Sequence, residues 1–526
     1  MEKKIEKKRK FHKKEKHYKE NKALPAGGTD KERYSLNHRS NLNGKEEEKH
    51  SLKKKDSRCP YSNRCGGCQL IDVAYQKQLK NKQEQLKALL GGFGRLEPII
   101  GMENPEHYRN KVHAVFGINH KKQIVAGVYE AKTHRIVDVE SCFLENEKAT
   151  RIIRTIKDLL RSFKIKAYDE DSGYGLLRHV LVRTARETGQ IMVVLVLASP
   201  ILPSKNNFVK ALRKEHPEIS TVIINVNDRS TSMVLGEKET VIYGKGYIED
   251  VLCGKSFRIS SKSFYQVNSV QTEKLYSTAL EFAALTGKEI ILDAYCGIGT
   301  IGIIAADSAK RVIGVELNKD AVKDAVNNAK LNGIKNIDIY NNDAGQFMLR
   351  LAGQKERIDV VFMDPPRSGS DEAFLKSVVA CGPLKIVYVS CNPLTLARDL
   401  KYLTANGYKV ERMRGCDMFC HTEHVETVVL LSLKTGQPKL EVTMEVDSDS
   451  NYTPEERATY QKIKAYVKEK YGVNVHTSYI AQVKRMCGLD MGENYNKSKK
   501  ENPEVKQCPQ EKVEYIKDAL KFFRLM

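Results

Sequence analysis

No stretch of this 526-residue chain approaches the roughly 20 consecutive apolar residues that a membrane-spanning helix needs. The lysine-rich start also lacks the apolar segment of a secretory signal. Neither a membrane protein nor an exported one is expected, and the protein should stay in the cytoplasm. The twelve cysteines lack the dense, regular spacing of a disulfide scaffold, which points to thiols and metal ligands in reducing surroundings. There is no internal repeat. Acidic residues are in short supply, 66 against 88 basic ones, leaving a net charge of +22. That excess predicts a polyanionic partner, most simply nucleic acid, without separating DNA from RNA.

The length implies about two to four domains. Residues 1–58 carry 20 Lys plus Arg and 10 Asp plus Glu, so this stretch supplies +10 of the +22. With few large apolar residues it cannot offset chain entropy, and a disordered tail is expected, either a phosphate-binding arm or a solubilising extension. A cysteine cluster follows, then a helical pattern over 75–90 that stops at Gly91 and Gly92. From 95 to 259 the apolar runs at 112–118, 190–197 and 221–226 predict strands, broken by a helix near 150–163. This reads as a mixed α+β domain. From about 269 to 433 helices alternate with short apolar strands, the pattern of a doubly wound α/β domain. A linker near 435–451 leads to helices starting at Thr453 and Pro454, near 478–486 and near 510–523. They form a small module, either a helix-turn-helix reader or, as we favour, a packing module. The expected boundaries are 1–58, 59–260, 261–436 and 437–526.

The chemistry should lie where the apolar runs end. Strand 358–363 runs into D-P-P-R at 364–367, and strand 385–389 runs into S-C-N-P-L-T-L-A-R-D at 390–399. Ligands of open α/β sheets collect at such carboxyl ends. Cys391 there is either a nucleophile or a small packing thiol. Upstream, E-I-I-L-D-A-Y-C-G-I-G-T at 289–300 is a strand, an acid and a glycine turn, with Gly297 and Gly299 letting backbone approach a ligand. Glu316, at the end of the next strand, is placed to accept from two ribose hydroxyls, and Asp343, one strand later, to accept from an adenine amino group. A dinucleotide is the competitor, but three acids at three strand ends suit S-adenosylmethionine better.

Together these motifs identify a resemblance. F-Y-Q-V-N at 264–268, D-A-Y-C-G-I-G-T, D-P-P-R, S-C-N-P-x-T-L-A-R-D and H-V-E-T-V-V-L-L at 424–431 occur in the order and spacing of the RNA uracil-5-methyltransferases. The resemblance spans about 59–433 and implies a Rossmann-like S-adenosylmethionine methyltransferase domain behind an α+β iron–sulfur domain. It implies that Gln266, Tyr295, Glu316 and Asp364 bind the methyl donor or frame the uracil, that Cys391 is the nucleophile and that Glu426 is the base. Carbon 5 of uracil is a weak nucleophile, so a thiolate must first add to carbon 6, and a carboxylate must later remove the carbon 5 proton. The target base must be turned out of a stack or lie in a loop.

Cys59, Cys65 and Cys68, separated by five and two residues, could be completed by Cys142 to hold zinc or an iron–sulfur cluster. The ribosomal-RNA branch of the family carries a 4Fe-4S cluster on this pattern and the transfer-RNA branch typically lacks one. The resemblance thus implies a monomeric enzyme making 5-methyluridine in 23S ribosomal RNA, with transfer RNA as the nearest rival substrate and a non-catalytic iron–sulfur RNA-binding protein as the rival of another class. Cys416, Cys420, His421 and His424 are read as part of an active-site loop, not as a metal site, and Cys253, Cys296, Cys381, Cys487 and Cys508 as packing thiols. The small β-barrel that often precedes the cysteine cluster in the ribosomal-RNA enzymes has no counterpart in the pattern of residues 1–58.

Overall fold

The computed structural model describes residues 57–130, 133–229, 233–354, 356–434, 454–487 and 507–523. The expectations for the basic tail at 1–56, for Thr453 and for the linker at 435–451 lie outside the described residues. The helix predicted over 75–90 forms as Tyr75–Leu90 and is followed by β1 (Leu96–Ile100). Strands β2 (Lys111–Ile118), β3 (Ile124–Tyr129), β4 (Ile136–Asp138), β5 (Leu177–Thr184), β6 (Ile191–Leu197), β7 (Ile219–Val226) and β8 (Lys238–Tyr243) build a seven-stranded sheet in the order β4-β3-β2-β5-β6-β7-β8. Only β6 and β7 pair in parallel within it. Every residue of β5 and β6 is buried, because both faces of this sheet are covered. The helices Glu147–Ser162 and Lys205–Glu215 pack on one face. On the other, Met192, Val194 and Val196 share a core with the ribbon β9 (Tyr247–Leu252) and β10 (Lys255–Ser260) and with the second large sheet.

That second sheet has eight strands: β1, then β11 (Ile290–Ala294), β12 (Arg311–Glu316), β13 (Ile337–Asn341), β14 (Val360–Met363), β15 (Lys385–Ser390), β16 (Tyr408–Cys416) and β17 (Glu426–Leu433). Their order is β1-β16-β17-β15-β14-β11-β12-β13. From β15 to β13 all pairs are parallel, as continuous apolar runs buried on both faces require. The strand β17 lies antiparallel between β15 and β16. One departure concerns β1. The sequence places residues 96–100 with the strand-rich segment, whereas Leu96 and Glu97 pair with Met413 and Arg414 of β16. Nothing local in L-E-P-I-I reveals a partner more than 300 residues away.

The helices Pro454–Tyr471, Thr477–Met486 and Gln510–Phe522 form a module with its own core, including Ile463, Val467, Ile480, Val483, Ile516 and Leu520. Gly472, at φ +68°, ends the first of them in the left-handed conformation that favours glycine. Among the described residues no helix is long and apolar enough to cross a membrane.

Candidate active site

The carboxyl ends of β11, β14 and β15 and the start of β17 meet at one edge of the eight-stranded sheet. The β15–β17 ladder ends with Ser390 opposite Thr427. The next step outward in that antiparallel register brings Cys391 opposite Glu426, so two residues 35 apart in sequence become neighbours. Glu426 is 3% exposed, and burial, with the nearby Asp364 charge, holds its carboxyl well above the ordinary range. Asp364 follows β14 directly, and loss of water pushes its carboxyl up to about 7 although the residue borders an open pocket. The Cys391 thiol, half-buried, is pushed up to about 11 by burial and then by Glu426 and Asp364.

Two features oppose that rise. The Arg367 guanidinium lowers the thiol value, and Cys391 precedes the helix Pro393–Ala405, whose positive end favours an anion. The helix starts there because Asn392 caps it by accepting from the Leu394 N–H, with Pro393 in the first turn. The same helix holds the D-P-P-R loop. Asn392 Nδ2 donates to the Arg367 carbonyl at 3.1 Å, and the buried Asp399 carboxylate accepts from Ser370 N at 2.9 Å and from Tyr388 Oη at 2.6 Å. Thus N and D of the S-C-N-P-x-T-L-A-R-D motif are scaffold around the thiol. Arg367 was missed as a functional residue in the sequence, although D-P-P-R displays it. Its Nη2 lies 2.9 Å from His424 Nδ1 at the rim.

Beside these groups lies a pocket whose walls include Gln266, Tyr276, Asp293, Tyr295, Gly297 and Asp364. Tyr295 and Gly297 turn the chain after β11 with φ of +63° and +56°. For a tyrosine this is a strained conformation, held here by ring packing on Phe374 with centroids 5.1 Å apart. Glu316 Oε2 accepts from Gly297 N at 3.1 Å and Oε1 from Asn318 N at 2.7 Å, so this acid braces the turn while retaining lone pairs for a ligand. Asp343 does not line the pocket. Its Oδ1 caps the helix Ala344–Gly353 by accepting from Gln346 N at 3.0 Å. Two wall residues had no role of their own in the sequence, where Asp293 counts only as one of three strand-end acids. Asp293, 2% exposed, accepts from Gly302 N at 2.8 Å and is pushed up to about 7 by burial. Tyr276 stands with its hydroxyl 3.4 Å from Thr300 Oγ1.

The four thiols expected to hold a cluster share one neighbourhood. Burial and then Cys142, Cys65 and Cys59 push the Cys68 thiol up to about 12, and Cys68 and Cys142 pack against Met102 and Tyr108. Among the described residues, however, no three His, Cys, Asp or Glu side chains stand close enough to hold a metal as placed. The expectation of a ready-made ligand set in Cys59, Cys65, Cys68 and Cys142 is not met as placed: the four are gathered but not converged, and burial holds the thiols of Cys65, Cys68 and Cys142 toward their protonated form.

A model of the tRNA (uracil-5-)-methyltransferase family matches residues 74–434. The chain belongs to the RNA uracil-5-methyltransferase family. An uncharacterized RNA methyltransferase of Halalkalibacterium halodurans is 43% identical over 381 residues, covering 72% of this chain and 83% of that protein. One from Caldanaerobacter subterraneus is 42% identical over 377 residues, 71% and 83% of the two chains. Among solved structures, the Pyrococcus abyssi tRNA (uracil-54, C5)-methyltransferase in complex with S-adenosyl-L-homocysteine aligns with a TM-score of 0.59 at 28% identity, covering 69% of this chain and 85% of that one. The family's α/β methyltransferase fold is thus the frame in which Cys391, Glu426 and the pocket sit. The helical module at 454–523 lies outside the match.

Proposed function

We propose that this RNA uracil-5-methyltransferase uses S-adenosylmethionine to methylate carbon 5 of a uridine in 23S ribosomal RNA, through a covalent bond between Cys391 and the base. The observation that carries the mechanism is the register placing Cys391 beside Glu426 at the sheet edge, with Asp364 between them and the pocket. The Cys391 thiolate adds to carbon 6, carbon 5 takes the methyl group from the sulfonium, and Glu426 receives the carbon 5 proton as the sulfur leaves. Gln266, Tyr295, Gly297 and Asp364 line the donor pocket, Glu316 takes the ribose hydroxyls, and Asp343, from its helix cap, takes the adenine amino group. On closing together, the thiols Cys59, Cys65, Cys68 and Cys142 would hold a 4Fe-4S cluster, which would supply structure rather than redox chemistry, since methyl transfer has no net electron change.

The pocket's charge supports a cationic donor. Burial pushes the carboxyls of Asp293 and Asp364 up to about 7, and a nearby sulfonium or ammonium favours the ionised form. Both groups should therefore lose proton occupancy on binding. Calorimetry near pH 6.5 in buffers of different ionisation enthalpy should show protons released with S-adenosylmethionine, and fewer with S-adenosylhomocysteine, which lacks the sulfonium. Equal release for the two would remove Asp293 and Asp364 from sulfonium recognition.

Transfer RNA is the second reading, supported by the 28%-identical Pyrococcus abyssi enzyme. Mapping 5-methyluridine in total RNA with and without the gene separates the two. Loss from 23S RNA alone supports the proposal, and loss from transfer RNA alone overturns its substrate.

A further inference from the structure

Glu426 opens β17 and is reached through the loop 417–424, which other parts of the chain grip. Part of the grip comes from Tyr108, Asn268 and Gln271, which donate to the carbonyls of Cys420, Met418 and Asp417, and part from the helix Tyr75–Leu90. Lys82 Nζ donates to Asp417 Oδ1 at 2.6 Å and to the Phe419 carbonyl at 3.2 Å, although 335 residues separate Lys82 from Asp417. Lys82 is 2% exposed and Asp417 0%. One turn earlier, Gln78 Oε1 accepts from His421 N at 3.0 Å while its Nε2 lies 3.0 Å from His421 Nδ1. Gln78 Nε2 also donates to the carbonyls of Leu70 and Val73, and Leu70 N donates to the His421 carbonyl at 3.0 Å. His421 itself sits at φ +64°, a conformation that a histidine keeps only when its surroundings impose it.

A buried ion pair is weak evidence for stability, because desolvation offsets most of the Coulomb attraction and well-packed apolar side chains do as well. What such a pair supplies is one defined arrangement, and here the arrangement is the path of the loop that delivers Glu426. Cys391 is held by different means, namely the start of the helix Pro393–Ala405 and its bonds to the Arg367 carbonyl. The polar grip of Lys82 and Gln78 thus falls on the base's loop, while Leu86 and Leu90 of their helix share a core with Leu396, Leu400 and Leu403 of the helix that holds Cys391.

We infer that Lys82 and Gln78 are positioning residues for the general base, so that their polar grip on its loop, distinct from the apolar face of the same helix, governs the last step of the reaction rather than the first. This rests on the proposed roles of Cys391 and Glu426. In that last step the carbon 5 proton passes to the Glu426 carboxylate, its electron pair re-forms the carbon 5–carbon 6 double bond, and the Cys391 sulfur–carbon 6 bond breaks to return the thiolate. A displacement of the base by about 1 Å is enough to slow proton transfer by roughly 100-fold.

The test is single-turnover kinetics on the full chain with radiolabelled methyl donor and a substrate RNA fragment, following adduct formation and adduct release separately. The double variant Lys82→Met/Asp417→Leu replaces the pair with apolar side chains and should fold, as thermal unfolding will report, and Gln78→Met is the second, independent probe. Both should form adduct within about twofold of the parent rate and release it roughly 10- to 100-fold more slowly, with KM for RNA unchanged. Equal slowing of both steps, or unchanged release, overturns the inference. Glu426→Gln and Cys391→Ala run in parallel: should the first fail to retain adduct, or the second form it, the underlying assignment falls, whereas normal behaviour of both beside an unaffected Lys82 variant refutes only the role of the helix.

Discussion

Replacing Cys391 with alanine abolishes methyl transfer, lowering the turnover rate by roughly four to six orders of magnitude, as removal of a covalent nucleophile does elsewhere. Without sulfur addition at carbon 6, carbon 5 has no electron density to offer the methyl group, and no other thiol can substitute. Cys296, a buried residue in the pocket wall, is held far on the protonated side by burial and then by Asp293 and Glu316. Cys416 is buried as well, within the core beneath the base loop. The change leaves the pocket intact, so affinity for S-adenosylmethionine, measured by calorimetry, should stay within about twofold. A Cys391→Ala protein with substantial activity on RNA would show that the thiol is a packing residue.

Replacing Glu426 with glutamine should have the opposite visible outcome. Addition and methyl transfer precede the step that needs the carboxylate, so one methyl group per protein is transferred and the product stays attached. Steady-state turnover falls by roughly 100- to 10,000-fold, the range typical of losing a positioned base, while a protein–RNA species resistant to denaturant accumulates. Gel electrophoresis with a labelled methyl donor reads both quantities. Burial raises the Glu426 pKa, so its carboxylate, once ionised, is a stronger base than an ordinary glutamate. If the variant releases product at the parent rate, the proton goes elsewhere.

Much of this site is visible in the linear sequence because parallel strands buried on both faces read as short apolar runs, and whatever follows such a run stands at the functional edge of the sheet. That reasoning reaches Asp364 after β14, Cys391 after β15, and Gly297 and Glu316 after β11 and β12. It does not reach the juxtaposition of Cys391 with Glu426. Their adjacency depends on β17 inserting antiparallel between β15 and β16, and a strand's place in a sheet is not written in its own residues. Family resemblance supplied what periodicity could not. The support for the thiolate was legible and passed over: C-N-P places an Asn cap and a first-turn proline directly after the cysteine, a helix start by ordinary rules. Lys82 was not legible. Within Y-Q-K-Q-L-K-N-K-Q-E-Q-L-K it looks like any solvated lysine, and only the fold reveals that this one is buried against Asp417. Asp343 shows the converse, an acid at a strand end whose first use is to cap the next helix.

The most direct test of the whole account uses RNA containing 5-fluorouridine at the target position, where fluorine cannot leave as a cation and the adduct cannot resolve. After incubation with S-adenosylmethionine and digestion with protease and nuclease, mass spectrometry should find the methylated fluoropyrimidine nucleotide on the peptide containing Cys391. Recovery of that nucleotide on another cysteine, or methylated RNA with no protein attached, would contradict it.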